Sequence, residues 1–137
     1  MRLWNRADGW AVALGCVVEK HNELPFQYGV SDCGQFAADA IEAVIGKDIL
    51  KPYRLYRTKI GAARVLRKSG FLNLGALFAK HFKEGSLSLA MRGDIGVVDY
   101  QGELCAGVFT GTGFACKGEN GIIFADYSQI ERVFEVG

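Results

Sequence analysis

Proline is nearly absent from this chain, with only Pro25 and Pro52 in 137 residues. Histidine is as scarce. His21 and His81 are the only imidazoles, so chemistry that needs an imidazole base has two candidates. No run of like charge exceeds two or three residues, and 16 Lys+Arg against 15 Asp+Glu leave a net charge of +1. That balance offers no footprint for a nucleic-acid backbone and no acidic or basic tail. The longest apolar run, Trp10 to Val18, falls short of the roughly 20 residues that a bilayer-spanning helix needs. The four cysteines (16, 33, 105 and 116) are widely spaced and form no C-x-x-C knuckle, so no zinc signature is written in the spacing.

What is present is apolar mass. Half of the residues are hydrophobic, enough for one domain over residues 1–137 with a real core. Arg2 and Arg6 ahead of the apolar run, with Ala13-Leu14-Gly15-Cys16 inside it, imitate a signal peptide. Asp8 and Gly9 interrupt that pattern. Trp4, Ala7, Ala11, Leu14 and Val18 recur instead at helical spacing, predicting an amphipathic helix over Trp4 to Glu23. Without a leader, the protein is expected in the cytoplasm until it is assembled or released, and disulfides are not the default.

A turn on Pro25 and Gly29 follows. Ser31 or Asp32 then caps a second helix with Phe36, Ala37, Ala40, Ile41 and Val44 on its apolar face, ended by Gly46. Thr58 caps a third, buried through Ala62, Val65 and Leu66 and stopped by Gly70. A short helical piece spans Leu74 to Phe82. From Arg92 the period changes to two. Strands are expected over 94–100, 104–109, 114–117 and 122–124, with a closing strand over 131–136. Helices first and a β-meander second predict an α+β fold. The glycine-rich stretches at 110–113 and 117–121 read as hairpin turns rather than phosphate loops. Arg92-Gly93-Asp94 reads as a structural turn that pins the start of a strand.

Cys33 opens the second helix, where the helix N-terminus favours a thiolate. A cysteine nucleophile also needs a base, usually histidine, and a polar group to hold it. His21 is expected as a polar residue near a helix end, and His81 as a solvated one. Neither falls on a strand. Tyr53, Arg54, Tyr56 and Arg57 interleave aromatic and basic residues, which suits a partner interface or a lid over a cleft.

The stretch PFQYGVSDCGQFAADA (25–40) resembles the nucleophile segment of NlpC-type papain-like cysteine peptidases, bacterial and phage enzymes that cut cell-wall peptides. Ala90 to Val98 is similar to their Arg-Gly-Asp strand, and Leu104 to Phe109 to the strand that supplies the base. The whole chain is similar to a compact phage- and prophage-encoded branch associated with tail-tip assembly. The resemblance implies a papain-like NlpC-type fold with Cys33 in the nucleophile position. It puts Cys105 in the base position, Cys116 in the third polar position, and Phe26 where a tyrosine hydroxyl aids the oxyanion. Asp32 joins Phe26 on the substrate side.

Hairpin geometry extends this. A turn over 110–113 pairs Phe109 with Phe114 and Gly107 with Cys116. Alternation then puts Cys105 and Cys116 on one face, expected toward the helix that carries Cys33. A thiol, with an unperturbed pKa of about 8.5, is a poor general base at neutral pH. Several readings of the sulfurs stand together. They are buried or paired thiols filling a vacated active site, or Cys33 and Cys105 form a disulfide after release. Alternatively Cys33, Cys105 and Cys116, with Cys16 as a fourth ligand, hold zinc or an iron–sulfur cluster. The last reading is retained hydrolysis of peptidoglycan peptides. The resemblance implies a tail-tip (baseplate) protein with a degenerate site. Its partners would be other tail proteins, with no nucleic acid and no membrane span. It would reside first in the host cytoplasm and then in the virion.

Overall fold

The computed structural model describes residues 4–137; Arg2, half of the signal-like feature, lies outside them. Four helices come first: α1 (Trp10–Glu23), α2 (Cys33–Ile45), α3 (Lys59–Lys68) and α4 (Leu74–His81). Six strands follow: β1 (Glu84–Gly85), β2 (Ile95–Tyr100), β3 (Glu103–Thr110), β4 (Gly113–Lys117), β5 (Ile122–Ala125) and β6 (Ile130–Phe134). They form one antiparallel sheet in the order β1-β6-β2-β3-β4-β5. The architecture is α+β, as expected. The β2–β5 meander is there, but β6 returns past it to pair with β2, and β1 adds an edge that its two residues do not announce by alternation.

Helix α1 starts at Trp10, not Trp4. Gly9 at its N-cap has φ 71, a left-handed conformation that glycine tolerates and that ends the helical path. Trp4 and Trp10 both pack half-buried against the main core, with Arg6 stacked 4.2 Å and Arg92 5.2 Å over the Trp10 ring.

Helix α2 is central. Phe36, Ala37, Ala38, Ala40, Ile41 and Val44 are at most 1 % exposed. The small alanines let it approach α1 and β3 closely, and each large apolar side chain buried adds about 1.5–3 kcal/mol. Gly46 (φ 75) ends it, with its N–H on the Glu42 carbonyl. Helix α3 is capped by Thr58 on the Gly61 N–H as expected. Ala62, Val65 and Leu66 are only half-buried, so α3 lies on the surface rather than in the core.

The sheet is apolar on both faces. Ile95, Val97, Ala106, Val108, Ala115 and Phe134 face the helices. Their alternating neighbours Val98, Phe109, Phe114, Cys116 and Val133 form a second cluster. Gly96 and Gly107 stand opposite each other across β2 and β3. A Cβ at either would meet the Phe114 ring, so the glycine pair is the trough in which that ring lies. The Arg92-Gly93-Asp94 turn is structural. Fully buried Asp94 accepts from the N–H of Met91 at 2.9 Å and of Val136 at 3.0 Å, and pairs with Arg6. Among the described residues, no helix is long and apolar enough to cross a membrane.

Candidate functional site

Asp32 builds the start of α2. Its carboxylate is 2 % exposed and accepts three hydrogen bonds of 2.8 Å: Oδ1 from the Gln35 N–H and the Tyr56 hydroxyl, Oδ2 from the Gly29 N–H. It is therefore the N-cap, and Ser31 has another role. Gly29 has φ 84, and a Cβ there would collide with the Tyr56 carbonyl, so the 54–57 segment lies directly on the turn. Burial, then the Asp32 charge, pushes the Tyr56 phenol far above its ordinary value. It is a fixed donor at the helix start and flanks Cys33. Residues 27–30 and 54–57 line an adjoining groove of about 670 Å³. The Tyr53–Arg57 stretch thus does cover the helix start. Tyr56, which no local pattern connects to Asp32, is the residue that sequence reasoning missed.

Cys33 opens the first turn of α2, half-buried, and Cys105 on β3 is the group that perturbs its thiol most. β3 joins β4 only over Gly107–Thr110, so the β3 residues before Gly107 have no β4 partner. Cys33 packs on the helical core, whereas Cys105 belongs to the cluster on the other face.

The expected thiolate at Cys33 is reversed. The hydrogen bond with Cys105, followed by burial, pushes the Cys33 thiol well above its ordinary value. Cys105, receiving that hydrogen bond, is drawn down to about 7. Burial and the Glu103 and Asp99 charges oppose that fall, and Lys59 adds to it. Lys59 in turn pairs with Glu103.

Cys116 stands opposite Gly107, the register expected from the hairpin. It shares a face with Cys105, but that face points away from α2, so the expected orientation toward the helix does not hold. The Cys116 thiol is pushed up to about 12, first by burial and then by Cys105. Cys16 is exposed beside Ala13, Lys20 and Glu42, in a separate shallow groove between α1 and α2. The proposed four-sulfur ligand set is therefore not assembled. Among the described residues, no three His, Cys, Asp or Glu side chains are arranged to hold a metal ion. Phe26 makes an edge-to-face contact with Tyr28 at 4.9 Å. The hydroxyl that Phe26 lacks is carried two residues on by Tyr28, whose pKa is raised, first by burial, with a contribution from Cys33.

Neither histidine serves Cys33. His21 lies in the last turn of α1 as expected and is fully buried, with Nδ1 2.7 Å from Ser31 Oγ and Nε2 2.8 Å from Asp39 Oδ2. His81 is half-buried with Nε2 3.0 Å from the Tyr53 hydroxyl, so it departs from the solvated residue expected. Its pKa is lowered, first by burial and then by Lys80.

One family model matches, over residues 5–136, and describes a domain of unknown function, DUF6950. The chain belongs to the DUF6950 family. Comparison with curated proteins and with solved structures finds no match. The Asp32-capped helix, Cys33, Cys105 and the Tyr56 cover therefore lie within the DUF6950 domain.

Proposed function

We propose that this DUF6950 protein is a bacteriophage or prophage tail-tip (baseplate) assembly protein, with a papain-like NlpC-type fold and a degenerate hydrolytic site. One observation carries the loss of hydrolysis: the polar partner of the Cys33 sulfur is the Cys105 thiol, while His21 and His81 are bonded elsewhere. Attack on an amide carbonyl needs a base that takes the nucleophile's proton and returns it to the leaving amine. Cys105 raises the Cys33 thiol value instead of lowering it, the opposite of what a base beside a nucleophile does. The capped helix bearing Cys33 against a central strand supports descent from the peptidase arrangement. The tail role itself rests on the sequence resemblance. Other tail proteins are the partners, with residence in the host cytoplasm and then in the virion.

Two measurements test this. Proteomics of purified particles from an inducing host is expected to find the chain in virions at tail-protein stoichiometry. Its absence from particles overturns the tail role. Purified protein is expected to leave peptidoglycan peptides intact; turnover that disappears in Cys33→Ala overturns the degenerate site.

A further inference from the structure

We propose that the outer face of α3 is a docking surface for an acidic protein partner, one that offers carboxylates and an apolar spot together. The surface lies on a different helix from Cys33 and does not depend on the tail role. Charge is spread unevenly along the chain. Residues 49–83 hold nine of the 16 Lys+Arg and none of the 15 Asp+Glu. Within that segment, α3 turns one stripe to solvent. Ile60, Ala63, Arg64, Arg67 and Lys68 recur at i, i+3, i+4, i+7 and i+8 and are all exposed, whereas Ala62, Val65 and Leu66 turn inward, half-buried. Ile60 is 72 % exposed, and Leu72, just past the helix, is 91 % exposed.

A helix face that meets only water ordinarily carries both signs, paired at i, i+4. This one carries a single sign. Among the described residues, Arg54 pairs with Asp39 and Asp48, and Lys59 with Glu103, but Arg57, Arg64, Arg67 and Lys68 have no carboxylate partner. The helix C-terminus accounts for Arg67 and Lys68. It does not account for Arg57 at the other end, or for the absence of any acid from 49 to 83. Arg64 repels Arg67 and Lys68 at i+3 and i+4, and a partner's carboxylates would relieve that repulsion. The class of partner follows from what else is present. A lipid surface needs an apolar face turned toward it, and the apolar side of α3 is turned into the protein. A nucleic acid has phosphates for the cations but nothing to match Ile60 and Leu72. The rest of the chain, with the other seven cations against all 15 acids, also repels a long polyanion. An acidic protein surface matches both the arginines, which hold carboxylates bidentately, and the aliphatic side chains beside them.

The test uses the full chain and a fluorescein-labelled peptide of alternating glutamate and leucine, read by fluorescence anisotropy. The peptide is expected to bind, with an affinity that falls as ionic strength rises. Its counterpart with glutamine for glutamate should not bind. Arg64→Glu combined with Arg67→Glu should weaken binding by roughly tenfold or more. Arg64→Gln with Arg67→Gln keeps good helix formers and should weaken it in the same direction by less, so the result does not depend on how the charge-reversed variant folds. Ile60→Ser should weaken binding and leave the salt dependence unchanged. Thr112→Glu, at an exposed position on the β3–β4 turn, should bind like wild type. No anisotropy change, equal binding of the glutamine peptide, or wild-type affinity in both arginine double variants would each overturn the proposal. So would tighter binding of a single-stranded oligonucleotide or of phosphatidylserine vesicles, which would assign the face to nucleic acid or to lipid instead.

Discussion

His21 Nε2 lies 2.8 Å from Asp39 Oδ2, joining α1 to α2 through a fully buried imidazole. The other ring nitrogen is on Ser31 Oγ. In content this is a serine–histidine–acid set. Ser31 is 0 % exposed, so no substrate reaches it, and the set acts as a structural clamp. Asp39 also pairs with Arg54 and Lys20, which draws the segment leading to Tyr56 into the same network.

Acid should release this clamp. Burial alone would raise the Asp39 carboxyl, but hydrogen bonds from His21 and Arg54, with the Arg54 charge, outweigh it and hold the group far below the usual carboxylate range. A depressed folded value stabilises the protein above the unfolded pKa of about 4, and the contribution is lost as pH falls through the folded value. Asp39→Asn should therefore cost on the order of 2 kcal/mol at pH 7. The gap to wild type should shrink steadily below pH 4 in denaturant titrations.

Tyr56→Phe removes one of the three donors on Asp32 and leaves both backbone N–H groups in place. Loss of a hydrogen bond to a carboxylate costs about 1.5–3 kcal/mol. Urea unfolding should show that loss, and amide exchange should quicken locally over 27–30 and 54–57.

Gly29→Ala combines strain at φ 84 with a collision against the Tyr56 carbonyl. Destabilisation of roughly 2 kcal/mol or more is expected. Alanine at Gly15, where the added Cβ meets nothing, should be neutral or slightly stabilising, because it replaces glycine inside a helix. Paired melts of the two variants check this.

Cys105→His returns an imidazole to the position that the family resemblance assigns to a base. The Cys33 thiol, now held protonated by its neighbour, should become more acidic. Its alkylation by iodoacetamide at pH 7 should accelerate roughly tenfold. Site-resolved mass spectrometry separates Cys33 from the exposed Cys16.

Much of the fold was legible because its signals are local. Asp32, Thr58 and Gly46 mark helix ends through short-range hydrogen bonds and backbone freedom. The hairpin register that pairs Gly107 with Cys116 follows from the turn and the two-residue period. The β6 pairing with β2 was not legible, since a strand's partner depends on the whole sheet rather than on its own alternation. His81 was misread for a related reason: a polar residue looks solvated until its remote partner, here the Tyr53 hydroxyl, is known.

The sequence alone determined that Cys33 opens a capped helix and that Cys105 and Cys116 share a sheet face, because both follow from helix-start chemistry and strand alternation. Only the tertiary structure decided what surrounds each sulfur. A sheet buried on both faces offers a cysteine two opposite environments, and the period-two pattern does not say which one faces the helices. In the fold Cys33 packs on the helical core, while Cys105 and Cys116 belong to the opposite face of the sheet. The directions in which the Cys33 and Cys105 thiols are shifted depend on neighbours far apart along the chain, which strand alternation does not name.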